Sequence, residues 1–198
     1  MKRNALYFFT ALAVFCFVAV AHTIKTKRPQ LSAEMRETEE YAVYSALLAN
    51  AQNGNALLVQ NRTESSYRYD GSGDEAKYIK ENLPSETSEE TLNDFKQIDR
   101  QQKELNQRFV VNRTYILVTQ EERHNGFANR AGRDAFFQKY PGARDVILLS
   151  RVGFNKNLDE ALVYSWRYCG GLCGGGGFYL LRKQNGVWSI KQNKTWIS

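Results

Sequence analysis

From Ala161 to Tyr168 the chain alternates strictly. Leu162, Tyr164, Trp166 and Tyr168 fall on one side, and Ala161, Val163, Ser165 and Arg167 on the other. A period of two is the mark of a half-buried strand. Phe178–Arg182 reads as a second strand. Asn185-Gly186 follows, a dipeptide suited to a type I′ hairpin because both central residues need positive φ. Val187–Lys191 then reads as the third strand, so the C-terminal third is an antiparallel meander.

A sheet with one apolar face must be covered, and the N-terminal half supplies the cover. Ser32 is a candidate N-cap for a helix over Ser32–Gln52. Met35, Tyr41, Tyr44, Leu48 and Ala49 lie along one face of it. A short helix is expected at Glu75–Asn82. Thr87 with Glu90 reads as a capping box before a helix bearing Leu92, Phe95 and Ile98. Gly132–Tyr140 reads as a further short helix. Ala56–Thr63, Tyr115–Thr119 and Val146–Val152 read as additional strands. The class expected is α+β, with N-terminal helices packed on a C-terminal antiparallel sheet.

The first residues carry an address. Lys2 and Arg3 precede Ala5–Ala21, a run whose only polar interruption is Thr10, and Ala19-Val20-Ala21 fits a small-x-small cleavage site. Residues 1–28 are read as a signal peptide or an N-terminal membrane anchor, and 29–198 as a single domain. Either reading sends the domain out of the cytoplasm. Beyond residue 21 there are 25 Lys and Arg against 21 Asp and Glu, an excess too mild for a dedicated nucleic-acid binder. Arg123, Arg130, Arg133, Lys139, Arg144 and Arg151 concentrate charge in mid-chain and suit an anionic polymer or lipid headgroups, unless Glu121, Glu122, Asp134 and Asp145 offset them.

The stretch YCGGLCGGGGFY, Tyr168–Tyr179, is the most site-like in the chain. In an oxidising compartment Cys169 and Cys173 read first as a structural disulfide. A redox pair expects two intervening residues at a helix N-terminus. A zinc site needs three or four good ligands, and beyond the leader the chain offers only His22 and His124 besides these thiols. The glycines lack the Lys-Ser/Thr of a phosphate-binding loop. They read as a stapled turn shaping a sheet edge, whose rim (Tyr168, Gly170, Gly171, Gly174, Gly175, Tyr179) could border a ligand site. Asp70, Ser72, Asp74 and Glu81 occupy calcium-loop positions, but Glu75 stands where that loop needs glycine. No metal or cofactor is expected.

The C-terminal motifs SRVGFN (Ser150–Asn155), ALVY (Ala161–Tyr164), CGGLCGGGGFYLL, NGVWSI and WIS, with the earlier EYAVYSALL (Glu40–Leu48), resemble a group of uncharacterised exported bacterial proteins. The resemblance implies a bacterial envelope or secreted location and one compact domain, and no activity. A long helix before a curved meander is also similar in order to NTF2-like and cystatin-like folds, an analogy of architecture alone.

The function expected is that of an exported or membrane-anchored, non-enzymatic module binding an envelope protein, a peptide or an anionic polymer. The alternative is a small envelope enzyme using His124, in the polar turn EERHNGF, with Cys169 or Cys173 or with Glu121.

Overall fold

The computed structural model describes residues 32–51, 54–66, 75–170 and 173–197. The signal or anchor at 1–28, the calcium-loop positions Asp70 to Asp74, and Gly171 lie outside the described residues.

Helix α1 (Ala33–Ala49) starts at Ser32, whose hydroxyl accepts from Met35 N as expected of an N-cap. Strand β1 (Ala56–Gln60) leads to α2 (Glu75–Asn82) and α3 (Glu89–Ile98). The cap of α3 is Ser88, accepting from Thr91 N, and not the Thr87–Glu90 box. Strand β2 (Thr114–Val118) is followed by α4 (Gln120–Gly126) and α5 (Arg130–Lys139). The segment EERHNGF is therefore mostly helix: Thr119 caps α4 by accepting from Glu122 N. Strands β3 (Val146–Leu149), β4 (Gly153–Phe154), β5 (Glu160–Tyr168), β6 (Gly174–Gln184) and β7 (Val187–Ile197) complete the chain.

The class is α+β, with a mostly antiparallel seven-stranded sheet. Its order is β2-β1-β3-β5-β6-β7, with β4 against β5. The expected meander is β5-β6-β7, antiparallel throughout. It is extended by a parallel trio, since β1 pairs in parallel with both β2 and β3. The intervening helices make these parallel pairings possible, because a parallel connection needs a long crossover.

Both faces of the sheet are covered. On one face Tyr41, Tyr44, Leu47 and Leu48 of α1 pack on Leu57, Val59, Ile147, Leu149, Ala161 and Val163. On the other, Ile79 of α2 and Phe95 of α3 pack on Leu148, Leu162, Tyr164 and Phe178. Phe136 and Tyr140 cover Leu58, Val118 and Val146 on that second face. Each fully buried side chain of this size contributes about 1.5–3 kcal/mol. Strand β5 is consequently buried on both sides from Glu160 to Trp166, not half-buried. Its alternation sorts large residues toward α2 and α3 and small ones toward α1.

The glycines also move. Only Gly170, with φ +87°, belongs to the described part of the turn. Gly174 to Gly177 lie inside β6, paired with Tyr168 to Ser165 on one side. A Cβ on Gly176 would sit 2.5 Å from Ser165 O, and one on Gly177 would sit 2.1 Å from Lys194 O. Glycine is required there because the three strands approach too closely for any side chain.

Candidate functional site

Helix α1 ends at Ala49, capped by Asn50, before it has covered the whole sheet face. Beyond it a recess of about 520 Å³ opens. Its wall is apolar, from Leu47 and Leu48 on α1, Ile147 on β3 and Ile190 on β7. Its floor is polar and low, from Ser165, Arg167, Gly175, Asn193 and Thr195. Directly paired residues share a face. The pairing Ser165–Gly177–Thr195 therefore places a bare backbone between two hydroxyls. The pairing Val163–Tyr179–Asn193 sets the Tyr179 phenol beside it. Burial holds that phenol above the ordinary tyrosine range, and the positive charge of Arg167 offsets only part of the rise.

The expected rim is divided among three sites. Gly175 and Tyr179 line the recess. Tyr168 lines a separate crevice, and Gly170 a small hollow with Phe127, Arg130 and Arg133. Gly174 begins β6. Sequence reasoning missed Arg167, Asn193 and Thr195. The available signal was Arg167 itself, a long cation ending the small-residue side of an otherwise buried alternating strand.

Cys169 and Cys173 are joined, with Cα atoms 5.3 Å apart. Cys169 N donates to Cys173 O and Cys173 N to Gly170 O, so backbone bonds close the same turn. The pair holds a turn that β5–β6 pairing already fixes. Replacing both cysteines with serine is expected to lower unfolding free energy by at most about 2 kcal/mol. Urea denaturation measures this, and a loss beyond about 4 kcal/mol contradicts it.

The second crevice lies at the carboxyl ends of β1 and β2, where Glu121 and His124 come together with Arg62, Glu104 and Arg123. Beneath it Arg123 donates to Gln60 Oε1 at 2.7 Å and to Glu64 Oε1 at 3.2 Å, and stacks over Tyr168. Gln60 and Glu64 are buried. This network pins α4 to β1. His124 and Glu121 project from α4 into solvent. The free thiol that the cysteine form of the enzyme alternative needs is absent, because Cys169 and Cys173 are bonded to each other; the form that uses Glu121 does not depend on it.

Four of the six mid-chain cations lie within ion-pair distance of carboxylates, while Arg130 and Arg144 are exposed. Arg123 and Arg151 turn inward to the buried Glu64 and Glu40. Lys139 pairs with Glu122, and Arg133 lies 3.8 Å from Asp134. Glu122 also accepts from Tyr140 at 2.5 Å. Burial raises the Glu122 carboxyl, but the hydrogen bonds from Lys139 and Tyr140 outweigh it and hold the group below the usual glutamate range. A depressed carboxylate stabilises the fold above its unfolded pKa, and that contribution is lost as pH falls through the folded value. Carbon-detected NMR titration should show Glu122 titrating below the ordinary 4.5. In Lys139→Ala its midpoint should move up. An unchanged midpoint would mean the ion pair does not set it.

Among the described residues no group of three or more His, Cys, Asp or Glu is placed to hold a metal ion. No helix among them is long and apolar enough to cross a membrane. Fold and site together define an α+β protein with a mixed sheet covered on both faces and, among the described residues, a recess on the α1 side. Comparison with known proteins finds no matching family model, no matching curated protein and no matching solved structure.

Proposed function

We propose that the protein is a non-enzymatic binding module of the bacterial cell envelope, exported or anchored through its N-terminal segment, with its ligand seat in the recess beside α1. The carrying observation is the recess itself. It has a volume in the range of small-ligand sites, an apolar wall, and a few convergent polar groups. Such a set orients a bound molecule. The basic–apolar–AxA order of residues 2–21 and the resemblance to exported bacterial proteins support the envelope address.

Fragment screening by amide NMR on the full-length chain tests the seat. Shifts are expected at Ser165, Arg167, Gly175, Gly176, Asn193 and Thr195. Fragments gathering instead around Glu121 and His124 would move the site to the second crevice and revive the enzyme reading. The N-terminal mass of protein recovered from the envelope tests the address, with His22 first if the leader is removed.

A further inference from the structure

We propose that the free edge of β2 seats a second copy of this chain, the two β2 strands pairing antiparallel across a two-fold axis. The proposal does not depend on the recess.

The direction of the backbone groups is the first argument. β2 ends the sheet on one side, with β1 as its neighbour. Asn61 N donates to Val118 O at 2.8 Å, so Val118 turns its polar backbone toward β1. The N–H and C=O of one residue point the same way, and that direction alternates along a strand. Thr114, Ile116 and Val118 therefore face β1, while Tyr115 and Leu117 face outward. Among the described residues no backbone hydrogen bond from outside the sheet reaches Tyr115 or Leu117.

These outward groups are complementary to themselves. In an antiparallel pair, alternate opposed residues exchange both of their bonds. With Ile116 opposite Ile116 of the second copy, Tyr115 falls opposite Leu117 and exchanges both bonds with it. The two-fold repeats that exchange, so all four outward groups on each copy are paired. This is the isologous contact of a closed dimer.

The side chains agree. The strand reads TYILV, without charge or proline, a composition that favours strand addition. No like charges meet at the axis. Tyr115, Ile116 and Leu117 are only partly buried, at the margins of the core on either face. Phe109 packs on Tyr115 at 5.2 Å, and the next residue, Val110, is 83% exposed. A second copy covers these apolar margins.

The opposite edge stops the assembly at two. β7 carries Lys191 and Lys194, both exposed. Leu180 pairs with Gln192 and Leu181 with Ile190, so Lys191 is the extra residue of a bulge. Lysines and bulges guard a sheet edge, and β2 has neither. Joining two sheets through β2 leaves the guarded β7 at both outer edges. A five-residue strand pair lies at the small end of specific contacts, so a Kd of about 1–100 μM is expected.

Sedimentation velocity on the full-length chain, from about 1 μM to about 1 mM, measures the dimer. Amide hydrogen exchange locates it. Tyr115 and Leu117 should slow at least about fivefold as concentration rises, while Ile116, already bonded to β1, changes little. Ile116→Lys and Ile116→Glu set like charges face to face at the axis, and each should weaken self-association at least about fivefold. Mixed one to one, the two variants should pair with each other, which misfolded chains would not do. Thermal melts check each fold, and if a variant is unfolded the exchange result on the unaltered chain decides alone. A chain that stays monomeric to about 1 mM overturns the proposal. So does a dimer in which Tyr115 and Leu117 exchange as fast as in the monomer, or folded Ile116 variants that self-associate as the unaltered chain does.

Discussion

Gly177→Ala is expected to cost at least about 3 kcal/mol of unfolding free energy, at the upper end for overpacking. The added Cβ would lie 2.1 Å from Lys194 O and 2.7 Å from Thr195 Cα. Both are backbone atoms of β7, so no side-chain rotation relieves the clash. Strand β7 must move away from β6, breaking the pairing on which the floor of the recess is built. Gly186→Ala provides the comparison. Gly186 sits in the hairpin at φ +81° with nothing within 4 Å of a Cβ. Its substitution strains only the local backbone, at about 1–2 kcal/mol. Urea unfolding of both variants measures the difference. If Gly177→Ala costs no more than Gly186→Ala, the glycine run is explained by flexibility and not by close approach.

Glu40→Ala is expected to cost about 3–5 kcal/mol, the range for breaking a buried ion pair. Glu40 is fully buried in α1. It accepts from Lys103 Nζ at 2.9 Å and from Arg151 Nε at 2.8 Å. The side chains of these cations are only 19% and 12% exposed. Truncating the carboxylate removes the partner of the poorly solvated Arg151, on the chain leaving β3, and leaves Lys103, in the segment before β2, with Glu37 at 3.0 Å. Nearby, Tyr44 donates to Ser150 O at 2.8 Å and ties the same helix to the same corner. Lys156→Ala is the contrasting variant. Lys156 pairs with Glu90 at 3.0 Å but is 81% exposed, and exposed pairs contribute about 1 kcal/mol at most. Equal losses in Glu40→Ala and Lys156→Ala would show that burial does not set the strength of these pairs.

Several elements were legible because their causes are local. The cap at Ser32, the hairpin at Asn185-Gly186 and the helix over Glu75–Asn82 each follow from residues within a few positions. The disulfide was legible for the same reason: cysteines four residues apart across a glycine turn have few other partners. His124 was misplaced in a turn because its polar neighbours form a short helix with no buried residue, which hydrophobic periodicity does not detect.

The glycine run shows where local reading stops. Gly174 to Gly177 look like a loop in sequence, since glycine is the commonest turn residue and weakens strands. They are strand because Ser165–Tyr168 and Lys194–Ile197 come in on either side. Neither constraint is written near residues 174–177.

The sequence by itself determined the class, the early helix, the meander and the stapled turn, because periodicity, capping and turn chemistry act over a few residues. Only the tertiary structure decided that β1, β2 and β3 run parallel, that β5 is buried on both faces, and that mid-chain cations turn inward to Glu40 and Glu64. It also decided where the open recess lies. These outcomes depend on which distant segments meet, and on where α1 runs out before the sheet does.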